Sequence, residues 1–352
     1  MEKELNILNQ ACPVPQSRYD SIMMAHGGGG KLSQQLIQQV FYKAFANEEL
    51  LISHDGALLS INGSRLAFST DSYVIQPIFF PGGNIGDLAI NGTVNDLACC
   101  GAIPQYLSVG FILEEGFPIS ELERIAQSMK KAANDAGIKI VTGDTKVVER
   151  GKGDQVFINT SGIGLIPSDR NISPLNCQVG DVIIINGTIA DHGIAIMSSR
   201  AGLEFETTIQ SDSCALNGLV EEIFKASKNI HVLRDPTRGG VASALNEIAQ
   251  SSKTGIVIEE EKIPVQEDVK AACELLGFDP LYVANEGKIL VFVVADDAEK
   301  VIDAMKQHPA GKNAAIIGKV TSDYQNKVRM KTILGSQRFV EMMSGEQLPR
   351  IC

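Results

Sequence analysis

The chain has 352 residues, a formal net charge of −11 and 44% apolar residues. This length is enough for two ordinary domains, and the composition is typical of a soluble globular protein. The excess of acidic residues argues against a general binder of nucleic acid or of an anionic membrane. No stretch approaches the ~20 apolar residues that span a bilayer. The seven cysteines lack metal-type spacing, which predicts free thiols in the reducing cytoplasm.

Residues 1–25 predict an irregular N-terminal arm, because two closely spaced prolines block regular structure. From residue 26 to 170 strand and helix signals alternate. Strands are predicted at 65–70, 107–113, 138–141 and 156–166, and a helix is predicted at 120–136. Ser120 and Glu123 have the spacing of a capping box for this helix, and Gly137 is placed to end it.

A cluster of Pro, Asp, Asn and Gly at 167–180 predicts a domain boundary. The following segment, 171–335, predicts a second α/β domain. Strands are predicted at 182–185, 255–259, 289–295 and 314–320, and helices at 217–227, 239–250 and 298–307. Residues 336–352 contain few apolar side chains and predict an exposed, flexible tail that ends in Cys352. The sequence therefore predicts a mixed α/β or α+β fold with two domains.

A run of four glycines is the first motif that carries chemistry. It comprises His26, Gly27, Gly28, Gly29, Gly30 and Lys31, and an amphipathic segment follows it. Backbone N–H groups of glycine can approach an anion closely, and a following helix start adds partial positive charge. The spacing is not that of a Walker A loop. The residues alone leave a phosphate clamp and a flexible linker open.

Acidic and amide side chains near the ends of predicted strands form a second pattern. The residues in these motifs are Asp55, Asp71, Asn91, Asn95, Asp96, Gly143 and Asp144. Carboxylate and amide oxygens are the ligands that Mg²⁺ takes when it bridges nucleotide phosphates. A single Asp of this kind more often caps a turn or a helix. The repeated pattern favours a metal–nucleotide site.

The second half contributes two further motifs and the chain terminus. The first motif, Asp235 to Gly240, opens a predicted helix, where Arg238, Gly239 and Gly240 could contact an anion. The second places Glu286 just before an apolar strand, as a base or a ligand. A plain helix start and a polar turn are the alternatives. Cys352 is either an idle terminal thiol or the carrier of a covalent group.

Together these motifs resemble the HypE family of hydrogenase maturation proteins, within the superfamily of aminoimidazole ribonucleotide synthetase and selenophosphate synthetase. The resemblance runs from about residue 20 to the last residue. It rests on HGGGGK, TDS, GDLAINGTVNDLACCGAIP, VTGDTKVV, DPTRGG, ANEGK and a terminal PRIC. It implies a PurM-like fold in which 26–170 binds ATP and forms a homodimer through its sheet.

The resemblance also implies a reaction. The carbamoyltransferase HypF would load a carboxamide onto Cys352, and an ATP-dependent dehydration would convert it to a thiocyanate. The cyano group would pass to iron on a HypC–HypD complex and reach a nickel–iron hydrogenase. The chain would then be a carbamoyl dehydratase. The residues implied are Asp55, Asp71, Asp96 and Asp144 as Mg²⁺ ligands, Glu286 as the base, and Lys146 for charge stabilisation or proton transfer.

Three alternatives stay open at this point. The chain could be another ATP-dependent member of the superfamily, such as a small-molecule kinase, which needs no terminal thiol. It could be a selenophosphate synthetase, whose reactive residue is expected in the N-terminal arm, where Cys12 lies. It could also be a non-catalytic carrier that only displays Cys352 to its partners.

Overall fold

The computed structural model describes residues 21–202, 209–345 and 351–352. Almost all of the predicted N-terminal arm, including Cys12, lies outside these residues. None of the helices in the described ranges combines the length and the apolar character that a membrane crossing requires.

The first half of the described chain contains a five-stranded sheet, a separate two-stranded sheet formed by its third and fourth strands, and four α-helical segments. The strands are β1 (Ala57–Ile61), β2 (Ser64–Tyr73), β3 (Phe79–Phe80), β4 (Gly83–Asn84), β5 (Ile103–Glu114), β6 (Lys139–Val148) and β7 (Val156–Leu165). The helices are α1 (Lys31–Leu36), which continues through a π-helical turn (Ile37–Tyr42) into α2 (Lys43–Phe45), then α3 (Ile85–Cys99) and α4 (Ile119–Ala136). The order of the sheet is β1-β2-β7-β5-β6, and only the β5–β6 pair is parallel.

Helices α3 and α4 cover one face of this sheet. Helix α3 is buried almost all round, because the sheet packs on one side and α4 and the second half pack on the others. Helix α4 is amphipathic and buries Ile125 and Met129 in the same core. It ends at Gly137 as predicted, with φ of 71°. The predicted capping box is wrong, since the helix starts after Pro118 without a side-chain cap.

The second half is built on a seven-stranded sheet. Its strands are β8 (Val182–Ile185), β9 (Ile230–Arg234), β10 (Gly255–Glu259), β11 (Leu290–Val293), β12 (Ala315–Thr321), β13 (Val328–Lys331) and β14 (Gln337–Val340). Its helices are α5 (Asp191–Ala201), α6 (Asn217–Ala226), α7 (Gly240–Ser252), α8 (Glu267–Leu276) and α9 (Ala298–Gln307). The strand order is β14-β13-β10-β12-β8-β11-β9.

Both faces of the second sheet are covered, which explains its uninterrupted apolar strands. Ile183 and Ile185 of β8 pack in the core that contains α7, whereas Ile184 packs in the core that contains α6 and α9. Short 3₁₀ turns connect several elements of the described chain, at Met24–Gly27, Leu50–Ile52, Pro174–Asn176, Glu260–Lys262, Pro280–Tyr282, Ala295–Asp297 and Pro309–Gly311. The predicted mixed α/β architecture is confirmed.

The predicted exposed tail from residue 336 onward is wrong for its described part. Strand β14 pairs with β13 inside the second sheet, and Met342 and Met343 are buried beyond it. Ile351, next to the terminus, is also buried. Apolar side chains spaced along a polar segment are sufficient to dock it when each meets an apolar surface.

Candidate active site

Five carboxylates lie close together, three from the first half of the chain and two from the second. We call Asp55, Asp71, Asp96, Asp235 and Glu286 the acid cluster. Each of the last four interacts electrostatically with at least two other members of the cluster. The sequence predicted the first three and Glu286 as site residues, but it assigned Asp235 only to a helix start.

Local structure explains how the first three acids meet. The sequence predicted that Asp71 follows a strand, but it lies within β2. Side chains alternate along the strand, so Asp71 points to the same face as Ser69 and Tyr73. That face packs against α3, and Asp96 lies in this helix rather than at a loop. The Ser69 hydroxyl donates to a carboxylate oxygen of Asp96 at 2.6 Å and to the backbone carbonyl of Asp55 at 3.2 Å.

The second half supplies two loops to the cluster. Asp235 follows β9 directly and precedes α7, and Glu286 lies in the turn before β11. Asn285 ties the two loops together, since its amide donates to the carbonyl of Pro236 at 2.8 Å. Gly287 is required at its position, because a Cβ there would lie 1.8 Å from the carbonyl oxygen of Asp212. The Glu286 carboxylate is thereby aimed from a fixed backbone.

Burial makes the charged form of these acids costly. Burial, and next the Asp55 carboxylate, raise the pKa of Asp235 to about 8, although the Arg234 guanidinium opposes them. Burial and then Asp71 raise the pKa of Glu286 well above its usual range. Burial, and next the Asp235 carboxylate, raise the pKa of Asp96 well above its usual range. Carboxylates in this arrangement repel one another unless a cation lies between them.

Two arginines supply part of the positive charge. Arg234 binds a carboxylate oxygen of Asp55 at 2.7 Å and Glu247 at 2.6 Å, and its own side chain is mostly buried. Arg238 interacts with Asp71, Glu286 and Cys352 from the start of α7. The sequence singled out Arg238 as an anion contact but missed Arg234, because an arginine at a strand end carries no distinctive signal.

The cluster fits a hard divalent cation. Asp55, Asp235 and Cys99 offer ligand atoms that all lie within 4.8 Å of one another. One oxygen of Asp55 and one of Glu286 are buried without a hydrogen-bond partner. Buried oxygens of this kind are expensive unless an ion or a donor satisfies them. Carboxylate oxygens suit Mg²⁺, and the four aspartates of the acid cluster would be its ligands.

The glycine run packs against the start of α7. Gly29 has φ of +73°, and a Cβ there would lie 2.8 Å from Arg238. Gly30 leaves room for the chain beyond β14, because a Cβ there would lie 2.4 Å from the carbonyl oxygen of Met343. Arg238 also donates to the carbonyl of Gly27 at 3.3 Å. The run therefore sits beside the acid cluster, where glycine is needed for close approach.

The residues on either side of the glycine run, and the two glycines at the start of α7, also have defined structural roles. His26 accepts from the N–H of Met23 at 2.9 Å, and the backbone N–H of Lys31 donates to Met343 at 2.9 Å. Gly239 has φ of +77° and Gly240 φ of +61°, so the turn into α7 needs both.

Cys352 lies at the acid cluster rather than in solvent. An oxygen of its terminal carboxylate accepts from the backbone N–H of Val74 at 2.9 Å, and Ile351 forms an antiparallel bridge with Ile75. Burial raises the pKa of the Cys352 thiol to about 12, against the opposing effect of Arg238, and Glu286 adds to the rise. A thiol held in this environment stays protonated.

Two predicted residues, Asn91 and Asn95, hold the halves together. Both lie in α3, and Asn91 donates to Ser213 at 3.1 Å. The amide of Asn95 donates to the carbonyls of Cys214 and Glu286 at 3.0 and 3.2 Å. Their side chains position the second half at the cluster and are engaged by protein groups in this structure.

Three other predicted residues do not join the cluster within one chain. Gly143, Asp144 and Lys146 lie within β6, at the edge of the sheet, and not in a loop after a strand. Across the sheet, Asp71 pairs with Thr160, Thr160 with Val109 and Val109 with Gly143, so these four residues share one face. Asp144 is the next residue along β6 and pairs with Gly110. Side chains alternate along a strand, so Asp144 and Asp71 point to opposite faces. Asp144 instead forms an exposed ion pair with Lys146 at 2.7 Å.

Comparison with known proteins identifies the family. Two family models match: the AIR synthase related protein N-terminal domain over residues 53–166 and the corresponding C-terminal domain over residues 178–331. Carbamoyl dehydratase HypE of Rhizobium leguminosarum bv. viciae is 52% identical over 332 residues, which cover 94% of this chain and 95% of that protein. The chain belongs to the HypE carbamoyl dehydratase family. HypE of Escherichia coli K12 is 46% identical, over 95% of this chain and 100% of that protein.

Solved HypE structures share the fold. A HypE–HypF complex matches with a TM-score of 0.84 at 51% identity, covering 88% of this chain and 99% of that chain. HypE in complex with ATP matches with a TM-score of 0.80 at 48% identity, covering 94% of this chain and 100% of that chain. AaThiL complexed with AMPPCP and TMP, at 20% identity and a TM-score of 0.68, shows the fold alone. The predicted HypE resemblance and the PurM-like fold are both confirmed.

Proposed function

We propose that this chain uses ATP to dehydrate a carboxamide on Cys352 to a protein-bound thiocyanate, which supplies the cyanide ligand of a nickel–iron hydrogenase. The observation that carries the proposal is the insertion of Cys352 beside Glu286, Asp71 and Arg238. Identity of 52% to a carbamoyl dehydratase supports it. A non-catalytic carrier would have no reason to place its terminal thiol at a cluster of buried acids.

The reaction balances without any further reactant. The carboxamide oxygen attacks the γ-phosphorus of ATP, and ADP leaves. The C–O bond then breaks, the oxygen departs within inorganic phosphate, and both nitrogen protons are lost as the nitrile forms. Bound Mg²⁺ would offset the charge on the transferring phosphate. The chain must therefore supply positive charge near the phosphates and a base near the nitrogen.

Named residues provide these functions in the proposal. Arg238 and the N–H groups of the glycine run supply donors for phosphate oxygens. Glu286 accepts a proton from the nitrogen through the oxygen that has no protein partner. Its raised pKa makes its carboxylate a stronger base than an ordinary glutamate. Asp55, Asp71, Asp96 and Asp235 would hold the cation.

The partners belong to the same proposal. A HypF-type carbamoyltransferase would load Cys352, as the solved HypE–HypF complex suggests for this family. A HypC–HypD complex would accept the cyano group on its iron. Because the thiol lies among the carboxylates of the acid cluster in the inserted position, loading by a second protein requires the terminus to leave the cluster. The expected setting is the cytoplasm, where the free thiols of the described chain stay reduced.

Carbamoylation by HypF tests whether Cys352 is the residue that carries the carboxamide. We expect the full chain, incubated with HypF, carbamoyl phosphate and ATP, to gain one carbamoyl group that peptide mapping places on Cys352. Cys352→Ser should gain none, whereas Cys214→Ser, which changes the other partly buried cysteine of the described residues, should load normally. An adduct on any other cysteine would contradict the proposal.

The homodimer is proposed to form through the outer face of the five-stranded sheet. Among the described residues, α3 and α4 cover only the opposite face. Phe68, Ile112, Ile163 and Leu165 are each 40% or more exposed, and the strand register places them on this outer face. Large apolar side chains exposed on one face of a sheet favour association. It also carries Asp144 and Lys146, which would then serve the cleft of a second copy.

A charge on that face should separate the copies. Ile163→Glu places a carboxylate in β7, in the middle of the sheet, where pairing would bury it unpaired. We expect sedimentation equilibrium to give the monomer mass for this variant and the dimer mass for the natural chain. Val179→Glu, at a 58% exposed apolar residue outside the sheet, should leave the dimer intact. An unchanged mass for Ile163→Glu would reject this interface.

A further inference from the structure

The last two residues of the chain are held by backbone contacts rather than by the thiol. Ile351 pairs with Ile75 as an added strand residue, and the N–H of Val74 donates to Cys352 at 2.9 Å. The side chain of Ile351 is 3% exposed and packs in the same core as Tyr73 and Ile75. The terminus therefore docks through a single antiparallel β-bridge and one apolar anchor.

A buried histidine completes this docking site. His192 is fully buried, and its Nε2 lies 2.7 Å from the carbonyl oxygen of Ile351. A carbonyl oxygen can only accept, so Nε2 carries the proton. Nδ1 lies 2.7 Å from the Ser211 hydroxyl, which must then be the donor to it. Ser211 thus selects the tautomer that binds the terminus.

The same histidine is tied to the loop of the proposed base. His192 lies in the first turn of α5. On one side of it, the N–H of Ala190 donates to the side-chain oxygen of Asn285 at 2.8 Å. On the other side, the N–H of Gly193 donates to the carbonyl of Ala284 at 3.1 Å. The ring therefore moves with the backbone that carries Glu286.

We propose that His192 is a positioning residue that latches the chain terminus into the cleft and sets the distance between Cys352 and Glu286. This inference rests on the proposed function of Cys352 as the residue that carries the carboxamide. The latch grips the Ile351 carbonyl and leaves the thiol untouched. It therefore holds the terminus whether the sulfur is free, carbamoylated or converted to thiocyanate.

Thiol accessibility in the full native chain tests the latch without any catalysis. We expect iodoacetamide to label Cys352 about tenfold faster in His192→Ala than in the natural chain, because one hydrogen bond to a buried carbonyl is lost. His192→Gln keeps a side-chain N–H donor and should restore most of the protection. His231→Ala removes another histidine, paired with Asp181 at 2.9 Å, and should leave labelling unchanged.

Buried cysteines report on folding in the same sample. Cys99 and Cys273 are buried and should stay unlabelled in every variant. Equal labelling of Cys352 in the natural chain and His192→Ala would overturn the latch, and so would faster labelling in His231→Ala or no rescue by His192→Gln. With HypF and Mg-ATP, His192→Ala should load normally but dehydrate more slowly. The two proposals can fail separately. If His192→Ala labels faster but the loaded natural chain is never dehydrated, the proposed function is rejected and the latch is retained.

Discussion

Glu286→Gln is expected to leave carbamoyl loading of Cys352 intact and to slow dehydration by about 10²–10⁴-fold, the usual range for loss of a general base. Glutamine preserves the size of the side chain but cannot accept a proton at neutral pH. The backbone N–H of residue 286 would still donate to Asp212, at 3.1 Å in the present structure, so the loop should keep its position. Single-turnover mass spectrometry of the loaded chain measures the rate.

The matched control for this variant is Glu247→Gln, which changes a carboxylate outside the acid cluster that binds Arg234 at 2.6 Å. Its dehydration rate should fall much less than that of Glu286→Gln. Dehydration by Glu286→Gln at the natural rate would remove Glu286 from the mechanism. Loss of loading as well as dehydration would show that the substitution disturbs the terminus rather than the chemistry.

Asp96→Asn is expected to stabilise the metal-free protein and to reduce dehydration by more than about 100-fold. Even residues outside the ligand sphere of a metal site cost about 10–100-fold when they are changed. The pKa of Asp96 is raised in the folded state, so the native protein binds its proton more tightly than the unfolded chain does. The carboxylate therefore destabilises the fold increasingly as pH rises above its usual pKa.

Thermal unfolding with and without Mg-ATP checks this pair of effects. Asparagine can still accept from Ser69, which donates to Asp96 at 2.6 Å, so packing should be kept. The unfolding temperature of the metal-free variant should exceed that of the natural chain, and by more at pH about 8 than at pH about 6. Mg-ATP should raise the unfolding temperature of the natural chain only. A variant that is less stable without metal would contradict the account of the cluster.

Strands and amphipathic helices could be predicted because their periodicity is local. Helix α9 was predicted with the observed bounds, since a polar face alternates with Val301, Ile302 and Met305. Helix α3 was not predicted as a helix, because it is buried nearly all round and so lacks an amphipathic pattern. The sequence accordingly places Asp96 near a strand end, whereas it lies within the helix.

The membership of the site was harder to predict than its chemistry. Acidic residues beside Gly, Ser and Thr predicted a cation site, and Asp55, Asp71 and Asp96 do lie together in the acid cluster, but which acids meet depends on strand register. Asp71 and Asp144 lie on different strands, and alternation turns their side chains to opposite faces of the sheet. Asp235 looked like a helix cap because its sequence neighbours, Pro236 and Gly239, favour that reading. Only the packing of the second half against α3 brings it to Asp55.

The docking of the terminus could not be predicted from composition. Residues 336–352 are mostly polar, yet single apolar side chains such as Ile351 find buried positions. Family resemblance indicated a function for Cys352, but the contacts that hold it come from residues far away in the chain. His192 gave no signal in the sequence, since a lone histidine in a helix is most often a core residue.

The intact mass of the carbamoyl-loaded chain, measured before and after addition of Mg-ATP, decides whether this protein dehydrates the group on Cys352. We expect the chain to lose the mass of one water, the loss to be confined to the Cys352 peptide, and one ATP to be converted to ADP for each chain. A loaded chain whose mass stays constant while Mg-ATP is bound would contradict the proposed function.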